Sequence, residues 1–183
     1  MTHTLEKRLT PEQYLEAERA SEVRHEFVDG VMVAMAGSTR THNEIVFNVR
    51  AALTAKAREL GCAIASESLQ VITKGARYRY PDIVVGCAPG TNELVIEAPC
   101  FIAEIQSDST AETDHGAKLE EYTNLPSLQR YAIVSQKTRQ VVLYKRQSDM
   151  WTFVVLSSSG EIDIPCLETS LTLDAIYAGL ELT

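Results

Sequence analysis

Two short apolar runs constrain this chain more than any other feature: Tyr80-Pro81-Asp82-Ile83-Val84-Val85 and Phe101-Ile102-Ala103-Glu104-Ile105-Gln106. Both read as short buried strands, yet each carries an acid or amide within its apolar run. Side chains two apart on a strand share a face. Ile102, Glu104 and Gln106 therefore line one face, and Phe101, Ala103 and Ile105 the other. Asp82 opens the first strand on the face of Val84. A carboxylate inside an apolar strand is costly unless it is paired, protonated or bound to a metal. Two such carboxylates on neighbouring strands predict a divalent-cation site.

The surrounding chain is ordinary. Its 183 residues suit one domain with a sizeable core. Hydrophobic residues make up 45% and charged residues 23%, which is the balance of a globular chain. A formal net charge of −8 argues against a generic basic coat for nucleic acid, while leaving room for a local basic groove. Cys62, Cys87, Cys100 and Cys166 are widely spaced with no CxxC pair, so a structural zinc site is a weak reading. The first twenty residues are polar, which does not fit a signal peptide. No apolar run approaches the roughly 20 residues of a membrane span. Together these predict a cytoplasmic chain with buried or idle thiols.

Read in order, Thr10-Pro11-Glu12-Gln13 starts a helix with a capping box and proline in its first turn; the helix runs to about Ala20. Arg24 to Val28 and Val31 to Met35 are strand-like, and Asp29-Gly30 between them is a hairpin turn. Thr41-His42-Asn43-Glu44 opens the longest helix as another capping box. Ile45, Val49, Ala52, Leu53 and Leu60 recur at helical spacing, and Gly61 ends it. Cys62 to Thr73 reads as a strand and Lys74-Gly75-Ala76-Arg77 as a turn, before the central strand pair. Ser109 and Glu112 form a third capping box, and that helix carries Asp114, Lys118, Leu119 and Tyr122 before stopping ahead of Pro126. Leu128 to Val134, Gln140 to Tyr144 and Trp151 to Leu156 form a strand meander. Thr172 caps a closing helix through about Leu180. The order predicts a mixed α/β (α+β) domain, a central sheet with helices packed against it.

With these residues in place, the chain resembles the Uma family of candidate endonucleases, within the PD-(D/E)xK, restriction-endonuclease-like superfamily. The resemblance covers roughly residues 10–177. It rests on the Glu26-Phe27-Val28-Asp29-Gly30 hairpin, the His42 helix and Pro81-Asp82 as the family's "PD". It also rests on Ile102-Ala103-Glu104-Ile105-Gln106-Ser107-Asp108-Ser109-Thr110, similar to the signature "VEVLSPST". Asp114, Lys118 and Tyr122 fit the helix that follows, and Leu128 to Val134 fits the "EYWIVD" strand. Three positions depart. Gln106 stands where the wider superfamily has its lysine, with Lys118 as the substitute. His115 stands where arginine is common, and Asp108 where proline is common. These departures bear on activity more than on fold.

The resemblance implies a Mg²⁺- or Mn²⁺-dependent endodeoxyribonuclease. Asp82 and Glu104 are the expected metal ligands. Lys118 is the expected stabiliser of charge on phosphate. Gln106 and Glu44 are accessory candidates, Glu44 as an outer ligand or water-holding base. Arg40, His42, Lys74, Arg77 and Arg79 are candidate phosphate contacts for DNA. A homodimer is expected, since cutting two strands favours two related sites. Each residue also has a plainer reading. Asp82 can terminate a turn, Glu44 is explained by its capping box, and Lys118 can pair with Asp114 at i−4. Tyr122 can be core, and the basic cluster can be a solvated strand edge. The rival function is a non-catalytic nucleic-acid-binding or protein-interaction module that kept the fold, which Gln106 and the acidic balance favour. A glycosidase-like carboxylate pair ranks last, because neither acid has aromatic residues nearby for sugar stacking.

Overall fold

Thr10 caps the first helix as its sequence dictates: its hydroxyl accepts from the Gln13 N–H, and Gln13 answers by accepting from the Thr10 N–H. In the computed structural model, which describes residues 8–35, 37–106 and 116–182, this helix is α1 (Pro11–Ala20). Two strands follow, β1 (His25–Val28) and β2 (Val31–Ala34), paired antiparallel across Asp29-Gly30. Both turn residues have positive φ, 50° and 91°, as a tight two-residue hairpin requires.

The long helix α2 spans Arg40–Glu59, two residues earlier at its start than the sequence suggests. Thr39, not Thr41, is its cap, accepting from the His42 N–H. That shift places His42 in the first turn. Gly61, at φ 68°, follows the helix, and the Cys62 N–H bonds back to the Ala57 carbonyl.

The stretch read as one strand from Cys62 to Thr73 is two strands in different sheets. β3 (Ala63–Ala65) and β4 (Val71–Thr73) are separated by a turn in which Glu67 takes φ 50° and bonds its N–H to the Pro81 carbonyl. β5 (Arg77–Arg79) completes the smaller sheet, ordered β2-β1-β5-β4. The larger sheet runs β10-β9-β8-β7-β6-β3. Its members are β6 (Ile83–Gly86), β7 (Pro99–Gln106), β8 (Arg130–Ser135), β9 (Gln140–Gln147) and β10 (Met150–Ser157). β7 and β8 are parallel and every other neighbouring pair is antiparallel, so the sheet is mixed. Helix α3 (Ala117–Thr123) lies in the connection between the parallel strands. The chain closes with a hairpin, β11 (Glu161–Ile164) and β12 (Thr169–Thr172), joined by a 3₁₀ turn and followed by α4 (Leu173–Ile176). Thr172 caps α4, which is shorter than its sequence pattern suggests.

Alternation along β6 and β7 divides the core. Ile83, Val85, Phe101, Ala103 and Ile105 meet α2 through Ile45, Val49 and Leu53. Val84 and Ile102 face the other way, toward Tyr122, Leu128 and Tyr131. Helices thus cover the central sheet on both faces. A separate cluster of Tyr14, Phe27 and Tyr78 joins α1 to the smaller sheet. The expected site helix is described only from residue 116 onward, so the Ser109/Glu112 box, Asp108, Asp114 and His115 lie outside the described residues.

The cysteines depart from expectation. Instead of idle thiols they form Cys62–Cys87 and Cys100–Cys166 disulfides. The inference of a reducing cytoplasm from free thiols therefore loses its footing. Among the described residues no helix is long and apolar enough to cross a membrane.

Gly86 sits where the β6–β7 register shifts. A Cβ there would meet Ile96 Cγ2 at 2.6 Å and the Ala98 carbonyl oxygen at 3.3 Å. Gly86→Ala should cost about 1–3 kcal/mol of stability through overpacking. Urea denaturation of the variant beside wild type checks it, and a change within error would show that Ile96 yields easily.

Candidate active site

The antiparallel register sets the site. Ile83 lies opposite Ala103 and Val84 opposite Ile102; Asp82 immediately precedes β6, and Glu104 follows Ala103 on β7. The Asp82 carboxylate accepts from the Ile105 N–H at 2.6 Å through Oδ2. Asp82 and Glu104 are both buried.

Each acid has its own partners. Lys118 on α3 donates to Glu104 Oε1 at 3.0 Å, and the Tyr122 hydroxyl donates to the same oxygen at 2.9 Å. Lys118 and Tyr122 are one helical turn apart, so a single face of α3 delivers both. Burial, together with the Glu104 charge beside it, raises the Tyr122 phenol well above its usual range. Tyr122 therefore stays a hydrogen-bond donor. On the other acid, His42 Nε2 lies 3.2 Å from Asp82 Oδ2. Glu67 completes a group with them, in which one ligand atom from each residue lies within 4.8 Å of the others.

Burial pulls the His42 imidazole down, but the hydrogen bond and charge of Asp82, with the charge of Glu67, outweigh it and raise His42 overall. Glu67 is itself raised, by burial and by the Asp82 charge. A carboxylate pair sharing one imidazole is a natural proton or cation holder.

The basic candidates separate. Arg40 and Lys74 are exposed. Arg79 is only 3% exposed, so its expected role on a DNA-facing surface does not fit. Its guanidinium grips Glu121 with two hydrogen bonds, 2.8 and 2.6 Å, and donates to Glu26 at 2.7 Å. Arg77 is likewise engaged, holding Asp29 through two nitrogens and Glu121 through a third. Glu26 lies 3.6 Å from Lys118, so the ion pairs run on from Arg79 through Glu26 and Lys118 to Glu104. Glu44 is exposed in α2, just past its first turn. Gln106 is half-buried at the end of β7, where its carbonyl accepts from Gln136.

Glu67, Glu26 and Glu121 escaped sequence reasoning. Glu67 was hidden by reading 62–73 as one strand; Ser66-Glu67-Ser68 was the available turn signal. Glu121 sits beside Tyr122 and three residues after Lys118, a spacing that should have flagged it.

Two outcomes follow from this geometry. Removing the Arg79 guanidinium leaves buried Glu121 and half-buried Glu26 without their main partner. Arg79→Met should then cost about 3–5 kcal/mol, while adding Glu121→Met should recover part of it; denaturant midpoints read both. The second concerns pH. A histidine raised in the folded state adds stability that is full below its unfolded value, near 6.5, and fades as pH rises through the folded value. For metal-free protein, the melting-temperature gap between wild type and His42→Gln should be wider at pH 6 than at pH 9. A gap that widens toward pH 9 would contradict the His42–Asp82 pair.

The family model described as "Putative restriction endonuclease", Uma2, matches residues 11–175. A Synechocystis sp. (strain ATCC 27184 / PCC 6803 / Kazusa) protein, "Uncharacterized protein slr1290", is 30% identical over 177 residues, covering 94% of this chain and 93% of that one. A second from the same organism, "Uncharacterized protein sll1609", is 27% identical over 164 residues, covering 86% and 93%. The fold is shared with a crystal structure from Anabaena variabilis ATCC 29413 titled as "a putative nuclease belonging to DUF820". The two superpose with a TM-score of 0.73 at 17% identity, over 93% of this chain and 98% of that one. The family match across nearly the whole chain places it: the protein belongs to the Uma2 family.

Proposed function

We propose that the chain, acting as one domain, is a divalent-cation-dependent endodeoxyribonuclease that hydrolyses phosphodiester bonds at Asp82 and Glu104. The observation that carries this reading is the burial of both acids beside the β6–β7 pair, with Asp82 Oδ2 on the Ile105 N–H and the Lys118 ammonium 3.0 Å from Glu104. Oxygen donors of this kind suit Mg²⁺ or Mn²⁺. A bound cation supplies Lewis acidity at the phosphate and makes water a better nucleophile.

The chain's own groups do the rest. The Ile105 N–H and His42 Nε2 fix Asp82 Oδ2, so the carboxylate is held in place before substrate arrives. Tyr122 orients Glu104 from the opposite helix. Lys118 places positive charge where the phosphate becomes more negative as water adds and the leaving oxygen departs. Of the candidate phosphate contacts, Arg40 and Lys74 are the exposed ones and are free to meet backbone phosphates. Glu44, near Arg40, and Gln106, at the end of β7, are accessory candidates. Cutting both strands of a duplex takes two sites, which a homodimer supplies.

A second reading has one observation behind it. Gln106 occupies the position where the wider superfamily carries lysine, which suits a binding module that kept the fold. Cleavage of plasmid and single-stranded DNA with Mg²⁺ or Mn²⁺ decides between them. Wild type should cut only with metal, Glu104→Ala should fall to background, and Lys118→Ala should lose on the order of 100- to 1,000-fold. Undiminished cutting by Glu104→Ala would remove this site from the reaction. A folded wild type that neither cuts nor binds Mn²⁺ would favour the binding module.

A further inference from the structure

The cysteines meet at the far end of the strands that carry the acids. Cys87 follows β6, and Cys100 sits at the start of β7, roughly 13 Å along that strand from Glu104. Cys62 follows α2, and Cys166 lies in the 3₁₀ turn. Residues far apart in sequence are brought to one place because four separate elements end there.

The disulfides are not independent of each other. Cys87 Sγ, bonded to Cys62, lies 3.9 Å from Cys100 Sγ of the other pair. One ligand atom each from Cys87, Cys100 and Cys166 falls within 4.8 Å of the others. A tetrahedral zinc–tetrathiolate centre with Zn–S bonds near 2.3 Å has sulfurs about 3.8 Å apart. The contact between the two pairs already has that spacing. Cys62, bonded to Cys87, lies outside that group of three and must swing in as the bonded sulfurs separate.

We propose that the reduced protein binds one Zn²⁺, or another thiophilic divalent cation, through Cys62, Cys87, Cys100 and Cys166. This is a structural site distinct from the acidic one. Oxidation by a small-molecule disulfide, which leaves as its dithiol, releases the cation and converts the same four side chains into the two disulfides. The chemistry balances with a dithiol reductant. Each protein disulfide takes two electrons and two protons from a dithiol, which leaves as its own disulfide. The four resulting thiols then release their protons as the cation binds. Soft thiolates select zinc over the hard cations suited to Asp82 and Glu104. Cys62 and Cys100 are buried in the α2-side core and Cys87 and Cys166 are half-buried at its edge, so four protein sulfurs could fill the coordination sphere as in structural zinc sites. In either state the sulfurs tie the end of α2, both central strands and the C-terminal hairpin together.

The test uses the full chain, reduced with dithiothreitol, freed of it without air, and titrated with Co²⁺ as a coloured stand-in for Zn²⁺. One equivalent should bind with a sulfur-to-cobalt charge-transfer absorption and intense tetrahedral bands. One equivalent of Zn²⁺ should bleach them, protect four thiols from alkylation and raise the melting temperature of the reduced protein. Asp82→Asn should keep the sulfur-linked absorption, which separates this site from the acidic one. The Cys62→Ser/Cys166→Ser double variant should lose it. If that variant does not fold, counting zinc-protected thiols in the wild type decides alone. Weak octahedral cobalt bands, or thiols that alkylate fully despite Zn²⁺, would overturn the proposal.

Discussion

The Glu104 carboxylate, buried in the central sheet and held by Lys118 and Tyr122, is the interaction on which the arrangement depends. Isolated, it would be an uncompensated charge in an apolar strand, a state proteins avoid. Lys118 answers it, and Glu26 lies close to Lys118 in turn. Glu26 and Glu121 then account for Arg79, which is itself buried. The ion pairs alternate in sign from the central sheet through α3 and into the smaller sheet. Such a chain orients its members more than it stabilises the fold, since buried charges give back much of their attraction as lost hydration.

That chain explains why the smaller sheet matters to a site it does not contain. β1 contributes Glu26 and β5 contributes Arg79. Both help position the helix that carries Lys118. The Asp29 hairpin turn is tied in through Arg77. The acids sit at one end of β6 and β7 and the cysteines at the other, so one strand pair spans two chemistries. Oxygen donors gather at the first and sulfur at the second, donor sets that suit cations of different type.

Much of this was legible in the sequence. The Thr10 cap, the Asp29-Gly30 hairpin, the long helix and the β8–β10 meander follow from local rules that act within a few residues. Asp82 and Glu104 stood out because burial and charge conflict, and that conflict is visible in a single run. What escaped depends on contacts across the chain. β5 reads Arg-Tyr-Arg and looks like surface, until Glu121, remote in sequence, neutralises Arg79. Glu67 needs a break in an apolar stretch that propensity alone runs through. The cysteines lack a short-range motif, and only the folded sheet brings their sulfurs together.

The most direct measurement of the central claim is anomalous diffraction from crystals of this protein soaked in Mn²⁺. If the two acids hold the cation together, one peak will lie within coordination distance of both Asp82 and Glu104, with the Lys118 ammonium displaced from Glu104 to make room. A peak held by His42, Glu67 and Asp82 while Glu104 keeps its bond to Lys118 would contradict it, because the buried acid on β7 would then be structural.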